Sequence, residues 1–202
     1  MRRTSLTFAV IGALAALPGL AAAQRLSLRP QIGLYVPTKD LVALSQSGDV
    51  SKLQAGPSFG AALGLRFGSH LGIEVTGTYV PTTFSQGIGG SFAKQDAKLF
   101  LGNAQVVLHL LPPSSMLSLF VSGGAGVVSQ GGIAFTSQAK TSNISGVAGA
   151  GAGIRIGGIN LVAGADLFRY TASYTGTQQT TSEVKQLDVQ LRLGLGFGMG
   201  GR

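Results

Sequence analysis

His70 and His109 are the two histidines in the 202 residues, and any base catalysis by the chain would rest on them. A lipid-deacylating site would set a Ser, a His and an acid in contact, the imidazole drawing the proton from the hydroxyl. Both histidines adjoin tight turns, His70 in Gly68-Ser69-His70 and His109 shortly before Pro112-Pro113. Such a site would need the opposite, long-loop rim of the architecture that the flanking strands imply, so an enzyme is not expected. Neither histidine has an adjacent Asp, Glu or Cys. A metal site needs clustered ligands, so neither a metal nor any other cofactor is expected. Gly196, Gly198 and Gly201 match G-x-G-x-x-G, but no helix can follow to receive a dinucleotide, and close strand packing is the better reading. Asn143-Ile144-Ser145 is a glycosylation sequon in form only.

The other charges point to contact with one another. Arg29, Arg66, Glu74, Arg155, Asp166, Asp188 and Arg192, together with Gln105, fall on one parity of alternating stretches, opposite large apolar residues. The clearest stretch is 187–199. Leu187, Val189, Leu191, Leu193, Leu195, Phe197 and Met199 take the odd positions, and Asp188, Gln190, Arg192 and three glycines the even ones. A period of two is a strand signal and excludes a helix. Seven further stretches alternate in the same way: around Leu26–Val36, Gly56–Phe67, Leu71–Tyr79, Asp96–Leu110, Leu117–Val127, Ile144–Ile156 and Asn160–Leu167. In the fourth of these eight stretches Leu99, Phe100 and Leu101 are consecutive, and the register is set by Ala104, Val106, Leu108 and Leu110 against Asn103, Gln105 and His109.

The links alternate in length. Pro37–Ala55, Thr82–Gln95, Ser129–Asn143 and Ser173–Val184 are long and polar, whereas Gly68-Ser69-His70, Pro112–Ser115 and Gly157-Gly158 are tight. Eight strands with long loops on one rim and short turns on the other describe an all-β fold, an eight-stranded antiparallel up-and-down transmembrane barrel with its short turns and both termini in the periplasm. The apolar face must point outward to lipid. A barrel of this size has room inside only for side chains that fill it, and eight rows of leucine-sized residues would overfill it. An outward Arg192 at mid-membrane would cost roughly 2 to 4 kcal/mol. Inside, the charges can pair as a polar network that plugs the lumen, with Arg192 on Asp166, and Arg66 and Arg29 about Glu74. Tyr35, Phe59, Tyr79, Phe84, Tyr170 and Tyr174 are expected to form an aromatic belt near the long-loop rim, and Phe67 and Phe197 one near the short turns. Asp40–Leu44 could form a short amphipathic turn, and the Thr-rich run Thr175–Thr181 is expected as a solvated extension of its hairpin, with binding of an extracellular ligand as the alternative.

Composition agrees. The chain has 32 glycines, no Cys and 11% charged residues, and its excess of Lys and Arg is scattered, which excludes nucleic-acid binding. Met1-Arg2-Arg3, an apolar run from Leu6 to Leu20 and Ala21-Ala22-Ala23 read as a secretory signal cleaved between Ala23 and Gln24, leaving residues 24–202 as the barrel domain. The lack of Cys excludes both a lipoprotein anchor and disulfides.

A signal segment, eight alternating strands, four long links and a last strand such as Leu187–Phe197 resemble the small outer-membrane β-barrels, the OmpA/OmpX-like family. The resemblance is one of pattern over Gln24 to the end. It implies a monomer in the outer membrane that contacts outer-membrane lipid, periplasmic chaperones and the assembly machinery, which reads a final aromatic residue. Here Phe197 takes that place, with Met199–Arg202 beyond it. The roles it implies are envelope anchoring, adhesion, passage of small or hydrophobic solutes and, in some members, lipid A modification. A non-enzymatic structural or surface-interaction role is expected, with a narrow pore as its alternative.

Overall fold

The computed structural model describes residues 24–38, 42–44, 49–88, 91–133, 142–175 and 181–199. The signal segment with its expected cleavage after Ala23, part of each long link, and residues 200–202 lie outside the described residues; Gln24 opens the first strand. The elements are β1 (Gln24–Pro37), β2 (Val42–Leu44), β3 (Asp49–Leu53), β4 (Gly56–Phe67), β5 (Leu71–Ile88), β6 (Ser91–His109), β7 (Leu117–Gly131), β8 (Ser142–Ile156), β9 (Ile159–Thr175) and β10 (Thr181–Met199). Every pairing is antiparallel. β1 and β4 to β10 follow one another round the wall, and β10 closes on β1 with Leu34 opposite Leu191. The eight alternating stretches are therefore the eight wall strands. β2 and β3 are an additional hairpin within the first long link, where an amphipathic turn was expected, and β3 pairs with the upper part of β5.

The ladder is sheared. Leu28 connects through Leu63, Val75, Ala104, Ala125, Gly146, Arg169 and Leu187 to Thr38, so one circuit climbs from position 28 to position 38 of the first strand. Strands staggered in this way are steeply inclined to the barrel axis. Residues far apart in the ladder then meet across the lumen, which decides the partners of the charged groups.

Outside, the surface is apolar. Ile32, Leu63, Val75, Val106, Leu119, Ile154, Leu161 and Leu193 are all exposed, as membrane-facing residues must be in an isolated chain. Phe59, Tyr79 and Phe100 lie side by side on β4, β5 and β6 and face outward. From Leu71 to Tyr79, β5 has the length that a membrane-spanning strand needs, about 9 to 11 residues. The exposed outward charges Lys94, Asp96, Lys98, Arg169, Glu183 and Lys185 all fall on the long-loop ends of their strands. The belt differs in membership from the expected one: Tyr35 and Tyr170 are buried in the lumen, and Phe84 packs on an internal cluster. Because a closed ladder leaves no edge to fray, the folded barrel should withstand dodecyl sulfate until boiled. The unboiled protein is expected to migrate ahead of the boiled one, and identical migration would contradict closure.

Candidate functional site

The middle of the lumen and its long-loop side are filled in layers. In the middle, Arg192 of β10 bridges two carboxylates: its Nη1 donates to Glu74 Oε1 at 2.7 Å and its Nε lies 3.0 Å from Asp166 Oδ2. Arg29 donates to the same Glu74 oxygen at 2.5 Å. Gln105 donates to Asp166 Oδ1 at 3.4 Å and to Asn103 at 3.0 Å. Gln190 and Gln31 both donate to the Thr78 hydroxyl. Asp166 is wholly buried and Arg192 only 4% exposed, so the charges face one another and not bulk water.

The small residues make room for this network. A Cβ on Gly149 would overlap the Asp166 carboxylate, one on Gly194 would lie 2.7 Å from the stem of Arg29, and one on Gly164 would lie 3.2 Å from Arg192 Nε. The inward glycines Gly149 of β8, Gly164 of β9 and Gly194 of β10 therefore have a volume reason. The inward positions are left empty so that long ionic side chains from neighbouring strands can fold across them.

Among the described residues the hydrogen bonds of Arg66, Arg155 and Asp188 lie apart from Glu74 and Asp166, where the expected set had them together. Arg66 pairs in the ladder with Gly72, one pleat nearer the short-turn rim than Glu74, and it donates to the Ser69 and Leu111 carbonyls there. Arg155, near the end of β8, donates to the Pro113 carbonyl. The place expected for Arg66 at Glu74 is taken by Arg192, brought across the lumen by the stagger. Asp188 lies on the long-loop side and accepts hydrogen bonds from two hydroxyls, those of Tyr35 and, at 2.7 Å, Tyr170.

Around that carboxylate is a layer that the sequence reading did not anticipate. Tyr35, Leu53, Val80, Leu99, Leu101, Val128, Phe168 and Tyr170 form an internal apolar cluster on the long-loop side, so the lumen is not lined solely by small and polar residues. These large groups fit because Ala97 and Ala172 stand among them. Each fully buried leucine contributes roughly 1.5 to 3 kcal/mol relative to exposure. Gln31, Thr78 and Gln190 lie on the inward parity read from the sequence but were not expected as members of the network. The histidines adjoin the short turns, His109 tilted against Phe120 with ring centroids 6.2 Å apart.

No protein-family model matches the chain, and no curated protein matches it significantly. Among solved structures, the outer membrane protein OprG from Pseudomonas aeruginosa superposes with a TM-score of 0.69 over 89% of this chain and 98% of that one, at 12% identity. This chain has the fold of an outer-membrane β-barrel. Ail, the attachment invasion locus protein of Yersinia pestis, solved with the heparin analogue sucrose octasulfate, is aligned over 87% of this chain and 97% of its own at 16% identity, with a TM-score of 0.49 too low to carry an argument. In the outer-membrane barrel described here, the charges of Arg29, Arg192, Glu74 and Asp166 neutralise one another in the middle of the lumen. Among the described residues no three metal-ligating side chains cluster.

Proposed function

We propose that this barrel is a non-enzymatic structural and surface-interaction protein of the bacterial outer membrane, with its long-loop rim extracellular, its short turns periplasmic and its lumen closed. The layered filling carries the reading. An ion network centred on Arg192 lies beneath an apolar cluster containing Leu99, Leu101 and Phe168, all almost fully buried. An ion entering this lumen would have to shed water past Arg29, Glu74, Asp166 and Arg192, whose charges are already paired with one another, at a cost of several kcal/mol.

The surface role is supported by the length of the second hairpin. β5 and β6 have 18 and 19 residues, nearly twice the 9 to 11 or so that span a bilayer, and so raise a polar ribbon bearing Lys94, Asp96 and Lys98 above the membrane. That ribbon and the other long links are the places for an extracellular ligand. The remaining partners are outer-membrane lipid around a monomer, and the periplasmic chaperones and assembly machinery that receive β10 with its outward Phe197. In planar bilayers the purified wild-type protein is expected to give no large steady conductance, and sugar-loaded liposomes carrying it should not swell. A large steady conductance would overturn closure in favour of a narrow pore for small or hydrophobic solutes.

A further inference from the structure

Below the ion network the described residues leave the lumen unfilled. A cavity of about 480 Å³ opens at the short-turn rim, reaching from Gly157-Gly158 and Gly198 up to Arg29 and Glu74. Its walls differ. One side carries Arg29 and Arg66, and Arg155 stands at the mouth; the other is an apolar patch of Val107, Phe120 and Val162. The charges lining it are three guanidiniums and one carboxylate, with His109 beside them. That carboxylate, Glu74, is already ion-paired to both Arg29 and Arg192. Among the described residues no carboxylate pairs with Arg155, whose partner is the neutral Pro113 carbonyl. The Ser118 hydroxyl lines the same space and has no hydrogen-bond partner among the described residues. Phe120 lies over Gly151, where a Cβ would strike the ring, and the Arg192 guanidinium carbon stands 6.0 Å from its centroid. The ring is thereby held as a fixed wall.

We infer that this cavity is a binding site for a small amphiphilic anion, a single phosphate or carboxylate on a compact apolar body, entering from the short-turn side. The apolar body lies against Phe120, Val107 and Val162, and the anionic head meets Arg155 and Arg66 with the Ser118 hydroxyl. A guanidinium suits such a head because its planar donors match two oxygens at once. The cavity does not require passage through the barrel, so the inference stands whether or not the lumen conducts.

The probe is phenyl phosphate, titrated into the full-length protein folded in maltoside micelles and followed by amide chemical shifts. Saturable shifts are expected, centred on Phe120 and Val162. Phenol, which lacks the anion, and inorganic phosphate, which lacks the ring, should each bind at least tenfold more weakly. Arg66→Gln with Arg155→Gln should weaken phenyl phosphate by about tenfold or more, since charge-assisted contacts are the strong ones. Phe120→Leu should weaken it without weakening inorganic phosphate. Absence of saturable binding overturns the site. Binding of inorganic phosphate as tight as that of phenyl phosphate overturns the amphiphilic class, and binding unchanged in the double arginine variant overturns the location. If the variants do not fold, the ranking of the three probes on the wild-type protein decides.

Discussion

Arg192→Leu is expected to destabilise the barrel by roughly 3 to 5 kcal/mol, the cost of leaving a buried charge without its partner. The loss is large because one guanidinium serves two acids. Without it, wholly buried Asp166 keeps only the long hydrogen bond from Gln105, at 3.4 Å, and Glu74 keeps Arg29 alone. Asp166→Asn should cost less, because Arg192 retains Glu74 and an amide still accepts a hydrogen bond. The double variant Arg192→Leu with Asp166→Leu should recover more than half of the loss, since apolar groups of suitable size can replace a buried pair without leaving an unpaired charge. Urea unfolding of protein inserted in lipid vesicles, read by gel mobility, measures all three. If Arg192→Leu falls within about 1 kcal/mol of wild type, the network behaves like a solvated surface pair, and the closed lumen is wrong with it.

The reach of Arg192 also marks where the sequence stops being legible. The assignment of Leu191 and Leu193 to lipid and of Arg192 to the lumen follows from parity alone, because a one-residue slip would reverse every side chain on the strand. The Arg192 and Asp166 pairing was legible too, since β9 and β10 are consecutive and the two residues are diagonal neighbours in the ladder. Arg192 on Glu74 was not legible. β10 and β5 are separated round the wall by β1 and β4, and only the climb from Leu28 to Thr38 in one circuit brings them to adjoining heights.

The apolar upper lumen escaped for a different reason. Where Leu99, Phe100 and Leu101 run together, both faces are hydrophobic, and alternation carries no contrast. Phe168 and Tyr170 alternate with outward Leu167 and Arg169, so parity places them inside, although Tyr170 was expected in the aromatic belt at the long-loop rim. Their accommodation depends on small residues contributed by other strands, Ala97 of β6 among them, and a single-strand pattern does not contain that information. Arg66 and Arg155 were placed on the correct face. Their drift to the rim depends on carbonyls exposed by the turns, which a strand pattern does not record.

Gly33→Val should abolish folding, whereas the same substitution at Gly146 should be tolerated. Gly33 faces inward at the seam where β1 closes on β10, opposite Arg192. A Cβ there would fall on the Leu191 carbonyl oxygen and lie 2.8 Å from the Ser58 hydroxyl. The first obstacle is backbone of the facing strand, which has no rotamer to adopt, so the strands must part at the closure and carry Arg192 away from Glu74. Overpacking of a filled interior costs typically 1 to 3 kcal/mol, and loss of ladder bonds and an ion pair here should take the total beyond about 3 kcal/mol. Gly146 faces outward on β8 with nothing within 4 Å of an added Cβ. Valine there exchanges a residue that weakens strands for one that suits them, a gain of up to about 1 kcal/mol. The heat-modifiability gel reads both variants. Gly33→Val should show only the slow, unfolded form, and Gly146→Val should show the wild-type fast form. A fast form for Gly33→Val would mean that the seam has slack that the close approach of β1 and β10 denies.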